Sequence, residues 1–155
     1  MKPYQLAFYL VIIFLIASSC QNSVIYEEYK YFDDNRWNRL DFLVFDVPVD
    51  DTESSYKIDF CLTHSKELSY DEIPLVISIH SPSGEQRARD YEIRLKNYED
   101  QFIGKELDGN YQVQMVVKSQ LKFSEAGICR IKINHKLDRI YVTGFVHAHL
   151  KVEKL

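Results

Sequence analysis

The chain has 155 residues, 46% of them apolar and 14% aromatic, with a formal charge of −4. That length supports one domain with a sizeable core rather than two. The acidic balance, with Lys2 the one charged side chain ahead of Cys20, lacks the basic footprint of nucleic-acid binding, so no nucleic-acid partner is expected.

The first elements form an export signal. Met1–Gln5 carries one positive side chain, Leu6–Ala17 is uninterrupted apolar sequence, and Ala17-Ser18-Ser19 supplies small residues before Cys20. The apolar run has 12 residues, too few for a membrane-spanning helix, which needs about 20. Three small residues followed at once by Cys resemble a bacterial lipobox, although Ser19 stands where Gly or Ala is commoner. The expected division is a lipoprotein signal peptide over 1–19, a lipidated Cys20 with a tether over 20–35, and a folded domain over 36–155. One acyl chain anchors only marginally and two anchor stably, so a diacylated Cys20 would hold the protein to its membrane.

Beyond the tether the pattern is β. An edge strand is expected near Val24-Ile25-Tyr26, a turn at Asp33-Asp34-Asn35, and a strand over Asp41–Val47 ended by Pro48. Ser55–Thr63 alternates: Tyr56, Ile58, Phe60 and Leu62 share the apolar face, and Lys57, Asp59, Cys61 and Thr63 the polar one. Ile73–His80 and Tyr91-Ile93-Leu95 flank the turn Ser81-Pro82-Ser83-Gly84 as the best hairpin in the chain. Asn97–Asn110 is irregular. Strands resume at Tyr111–Val117 and Ile128–Asn134, and Arg139–Lys154 reads as one bent strand or two short ones around Gly144. The eleven Tyr and nine Phe suit half-buried sheet faces. The predicted fold is all-β: an Ig-like antiparallel sandwich of seven or eight strands.

Chemistry has little to stand on. Cys61 falls on the polar face of its strand and Cys129 on the apolar face of its own, which argues against a disulfide between them. His147 and His149 share a strand face, but no local motif joins them to His135 or His80 as a metal site, and they read as exposed strand histidines. The acidic pairs Glu27/Glu28, Asp33/Asp34, Asp50/Asp51 and Asp71/Glu72 sit in turns or the tether. No nucleophile elbow, phosphate-binding glycine loop or HExxH is present. No catalytic residue, metal or cofactor is expected, and the chain reads as a non-enzyme.

Cys20, Tyr26-Glu27-Glu28-Tyr29-Lys30, Trp37 and Phe42-x-Val44-Phe45-x-Val47 together resemble the start of the gliding motility lipoprotein GldH family of Bacteroidetes. Phe102-Ile103-Gly104-Lys105, Phe123-Ser124-Glu125-Ala126-Gly127 and Leu150-Lys151-Val152-Glu153-Lys154 resemble later segments of that family. The sequence departs from it at Glu106-Leu107-Asp108-Gly109 and at Ala148-His149, where the family carries glycines. The resemblance implies an envelope protein linked to gliding and type IX secretion, with no catalytic residues to carry over.

The expected role is positional: a domain held at a membrane by Cys20, facing the periplasm from the outer membrane, that binds other envelope proteins of a gliding or secretion machine. Tyr29, Tyr31, Trp37 and Tyr98 are the candidate partner contacts. The alternative is a glycan-binding lipoprotein of a nutrient-uptake system, using exposed aromatics to stack on sugars.

Overall fold

The structure is a computed structural model that describes residues 23–155. The expected leader and Cys20 lie outside the described residues. Within them the strands are β1 (Ser23–Tyr31), β2 (Arg36–Asn38), β3 (Leu43–Val49), β4 (Tyr56–His64), β5 (Glu72–His80), β6 (Gln86–Arg94), β7 (Lys105–Leu107), β8 (Asn110–Leu121), β9 (Gly127–His135), β10 (Tyr141–Thr143) and β11 (Phe145–Lys154). Eight of them have seven residues or more, in line with the strand count that alternation predicts. The others, β2, β7 and β10, have three residues each, too short to show a period.

One hairpin organises the topology. β5 and β6 pair in register across Ser81–Gly84, where the Gly84 N–H donates to the Ser81 carbonyl at 2.9 Å. Outward from that turn β4 meets β8, β3 meets β9, β2 meets β10 and β1 meets β11, all antiparallel. The chain is therefore one long two-stranded ribbon closed at its tip. Rolling the ribbon adds two pairings, β4 with β11 and β5 with β9. The products are a five-stranded sheet, β1-β11-β4-β8-β7, a four-stranded sheet, β3-β9-β5-β6, and the small β2–β10 pair.

This is a jelly roll. The all-β sandwich stands as expected, but the Ig-like arrangement is corrected. An Ig sandwich sets its first two strands side by side in one sheet, whereas β1 and β3 fall in opposite sheets here. The domain boundary also moves. Residues assigned to a tether form β1, which pairs with β11 from Ser23 to Tyr31, so the folded domain includes 23–31 as well as 36–155. β1 escapes a periodicity reading because both its faces carry polar side chains, and a bulge at Ile25 breaks its phase.

The two sheets close on a core that alternation had marked. Tyr56, Ile58, Phe60 and Leu62 of β4 meet Leu75, Ile77 and Ile79 of β5 and Cys129, Ile131 and Ile133 of β9 in one cluster. Burying side chains of this size contributes about 1.5–3 kcal/mol each. At the open edge, Arg87 and Arg89 of β6 lie directly opposite Ile79 and Ile77, on the core side of the sheet, yet remain exposed because β6 overhangs. Inward-facing charge on an edge strand discourages a foreign strand from adding there.

Gly144 divides β10 from β11. Its φ is +109°, and a Cβ there would sit 2.8 Å from the Leu68 backbone nitrogen and 2.9 Å from its Cα. Both conformation and space exclude a side chain. Gly84 at the ribbon tip has φ +86° but open space around it. Gly144→Ala should therefore cost about 3 kcal/mol and Gly84→Ala about 1 kcal/mol. Denaturant titration of both variants checks the difference; equal costs would show that the Leu68 contact is not rigid.

Candidate functional site

The outer face of the five-stranded sheet is polar and yet partly dry. Register places three rows across it: Tyr29–His149–Cys61–Gln114, Tyr31–His147–Thr63–Gln112 and Glu27–Lys151–Asp59–Val116. Asp59, Cys61, Thr63 and His149 are buried although, among the described residues, no second layer of structure covers this face. Longer neighbours on the same face do the covering. The Tyr29 and His149 rings stack at 4.1 Å with 3° between planes. Thr63 Oγ1 lies 3.0 Å from His147 Nε2. His149 Nε2 is 2.9 Å from Glu27 Oε1 but lacks the alignment of a hydrogen bond.

The four candidate contact residues separate in the structure. Tyr29 and Tyr31 stand together, ring centroids 6.5 Å apart, beside His147. Tyr98 is elsewhere, 95% exposed in the β6–β7 connection, with the Arg94 guanidinium 5.2 Å above its ring. Trp37 is corrected as a contact: it is 1% exposed and packs edge-on against His135 and Phe145 while its indole N–H donates to the Asp41 carbonyl at 3.1 Å. Cys20 lies outside the described residues. For sugar stacking, one face of the Tyr29 ring is already taken by His149.

The thiols and histidines do not assemble into a reactive centre. Cys61 and Cys129 are both free. Burial pushes the Cys61 thiol up to about 11, helped by the Asp59 charge, and burial alone pushes Cys129 up to about 12, so both stay protonated. His135 faces the core, with Nε2 3.3 Å from the Trp37 carbonyl oxygen, while His147 and His149 occupy the opposite side of their sheet. The latter pair are half-buried and buried, not exposed as expected. Among the described residues no group of three His, Cys, Asp or Glu side chains is placed to hold a metal ion.

Asp59 is the sharpest electrostatic feature. Its side chain is 1% exposed, and Lys57 Nζ holds Oδ2 at 2.6 Å. Its Oδ1 has no hydrogen-bond partner. A buried carboxylate of this kind is tolerable only while its cation remains.

A second group of residues escaped the sequence reading. Leu40, Phe42 and Tyr141, 69%, 54% and 62% exposed, cluster at the end of the sandwich that carries β2 and β10. The signal was available. In the alternation of β3, Phe45, Val47 and Val49 point inward, which sends Phe42 and Val44 outward with Asp46. Reading Asp41–Val47 as a strand without assigning its faces hides that phase.

The chain matches the family model described as GldH lipoprotein over residues 24–147. It is 22% identical over 109 residues to "Gliding motility lipoprotein GldH" of Flavobacterium johnsoniae, covering 70% of this chain and 68% of that protein. Among solved structures it is similar to that of infectious bursal disease virus Gx strain, with TM-score 0.40, 14% identity and coverage of 87% of this chain and 32% of that one. Dimeric latent PorU from Porphyromonas gingivalis gives TM-score 0.37, 8% identity and coverage of 89% and 14%. The chain thus spans about a third or less of either of those structures.

Lys57→Met should destabilise the fold by about 2 kcal/mol, below the 3–5 kcal/mol of a fully buried pair because the lysine is partly exposed. Adding Asp59→Leu should recover most of that loss. Urea titration of the single and double variants tests the pairing, and an unrecovered double variant would mean the loss lies in packing.

Stability should also depend on pH through His64, His135 and His147. Burial lowers the pKa of all three, with the His149 charge adding to the effect at His147. Unfolding returns them to about 6.5, so the unfolded chain binds more protons at mildly acid pH. Their contribution is complete above about pH 6.5 and declines as pH falls below it, by up to about 1.4 kcal/mol per pH unit for each group. Denaturation midpoints from pH 7.5 to 5 should fall, and a His147→Gln variant should show a shallower slope.

Proposed function

The chain belongs to the GldH lipoprotein family, and from that premise we propose that it is a lipid-anchored, non-enzymatic component of the cell envelope, held through Cys20 and accessory to a gliding or type IX secretion machine. The observation that carries this reading is the family match across residues 24–147, which is nearly the whole jelly roll. The relative's name points the same way. Protonated buried thiols and dispersed histidines support a binding role over a catalytic one.

The mechanism is positional. Cys20 is three residues from Ser23, the first residue of β1. Three residues span at most about 11 Å, so the sandwich sits close against the membrane surface rather than on a long leash. The outer membrane, with the domain in the periplasm, is the preferred site. No Asp follows Cys20 to hold the protein at the inner membrane, and no acidic cluster directly after it marks export to the surface. There the domain binds other envelope proteins through a surface that the lipid holds at fixed height.

Cys20→Ser should move the protein from the membrane to the soluble fraction while leaving its thermal midpoint unchanged, since Cys20 precedes the first strand. Fractionation of the native host, together with a melting curve, reads both. In a gliding host the same variant should reduce spreading and adhesin secretion. A Cys20→Ser protein that stays in the membrane fraction would refute lipid anchoring.

A further inference from the structure

The two ends of the sandwich are chemically unlike. The near end, by register, is where Ser23 pairs with Lys154, Lys154 with Tyr56, Tyr56 with Leu121, and Val49 with Gly127. β1 runs away from it for nine residues, which at about 3.3 Å per residue carries Tyr31 about 30 Å outward. Most of the exposed large apolar side chains gather at that far end, among them Leu40, Phe42, Ile140 and Tyr141, with only Val24 and Ile128 near the other. Single exposed apolar residues need no explanation, but a contiguous group does.

Phe42 is the centre of the group because it walls three cavities: one of about 680 Å³ over the four-stranded sheet, with Val44, Ala88, Arg87 and Lys132, and two at the far end. Of these two, the first, of about 460 Å³, lies between Phe42, Tyr31 and Tyr141, with Trp37 also in its lining. The other, of about 440 Å³, lies between Phe42, Leu40 and Val76 and includes Asn134. Asn134 is 7% exposed; its amide nitrogen donates to the Arg39 carbonyl, and its Oδ1 has no partner. That Oδ1 is closed to solvent, so this cavity offers an occupant apolar contact with Phe42, Leu40 and Val76 rather than a hydrogen bond.

Charge selects the occupant. The first cavity is rimmed by Asp33, Asp34 and Asp41 against one cation, Arg36, whose Nη2 is spent on Asp34 at 2.9 Å. The carboxylates in excess, in a lining shared with Tyr31, Phe42 and Tyr141, suit a lysine or arginine next to an apolar side chain. The second cavity adds Arg39, which keeps its charge while donating to the neutral Leu137 carbonyl at 3.2 Å, and Lys136, which pairs with Asp90 at 2.9 Å. The negative excess therefore belongs to the first cavity, and it is there that the cation of an occupant is placed.

We propose that the end of the sandwich farthest from the lipid is a docking surface for a protein segment that carries an apolar anchor flanked by Lys or Arg. The anchor seats against Phe42, and the cation meets Asp33 and Asp41. The distance of this surface from the membrane rests on the anchoring of Cys20, whereas its chemistry does not.

The test uses the full chain, expressed in its native host with p-benzoylphenylalanine in place of Phe42 or Tyr141 at the far end, or of Glu53 or Glu125 at the near end. After irradiation, adducts are digested and the partner peptide sequenced. The far-end probes should cross-link to an apolar peptide of net positive charge, at least fivefold more than the near-end probes. Asp33→Asn combined with Asp41→Asn should cut the yield at least threefold without changing the melting temperature. The proposal is overturned by no far-end adduct, by an adduct to lipid, to an acidic segment or to a second copy of this chain, or by a yield that ignores the aspartates. Fractionation of the same cells separates the two readings: loss of membrane attachment with the adduct intact refutes the anchoring and leaves the docking surface standing.

Discussion

Every long-range pairing in this protein lies downstream of closing β5 onto β6. A ribbon can zip only from its tip, because each pairing shortens the loop that the next must close. With β5 and β6 joined, β4 and β8 are brought near each other, then β3 and β9, and last β1 and β11. Ser81-Pro82-Ser83-Gly84 supplies the tip, with Gly84 in a backbone conformation that other residues adopt only under strain. Gly144 is the counterpart near the far end of the ribbon. There the return strand breaks between β10 and β11, and the missing side chain lets Leu68 approach.

Rolling the ribbon also explains why the outer face of the five-stranded sheet is both polar and dry. β4 lies in the middle of that sheet, between β11 and β8, so its outward side chains have neighbours on both sides. Asp59, Cys61 and Thr63 are short, and longer side chains from adjoining strands cover them. The buried carboxylate of Asp59 then requires Lys57, and the half-buried His147 resists protonation. The face is therefore built for rigidity and is largely self-satisfied, apart from Asp59 Oδ1 and His149 Nε2. The far end of the sandwich differs because its apolar groups have no such cover.

Strand identity was legible because alternation is a local property. The core faces of β4, β5 and β9, the Ser81–Gly84 turn and the break at Gly144 all follow from period and turn chemistry. Pairing order was not legible, since an Ig-like sandwich and a jelly roll share the same strands and differ only in which strands meet. β1 was half-seen, because an edge strand wet on both faces shows no apolar stripe. The exposure of Cys61 and His149 was misjudged for a related reason: period assigns a residue to a face, but the cross-strand neighbours decide whether that face is wet. Trp37 illustrates the converse. Its burial depends on His135 and Phe145, which reach it from distant parts of the chain.

The ribbon finally sets Ser23 and Lys154 at one end of the sandwich and most of the connections at the other. Because β1 pairs with β11 along its length, Ser23 and Lys154 lie side by side, and chain entry and exit share the near end. The connections at the far end are therefore internal ones: β1 to β2, β2 to β3, β4 to β5, β6 to β7, β7 to β8, β9 to β10 and β10 to β11. Loops over a rigid frame carry binding residues at little cost to the fold. Here β2 and β10 stiffen them, since Trp37 pairs in register with Val142, both are buried, and the surrounding backbone is fixed by the Arg39 N–H to the Ile140 carbonyl at 2.8 Å. Leu40, Phe42 and Tyr141 extend from that stiffened corner. Their exposure is thus held in place by the pairing beneath them, and a partner meeting them pays little to order the backbone.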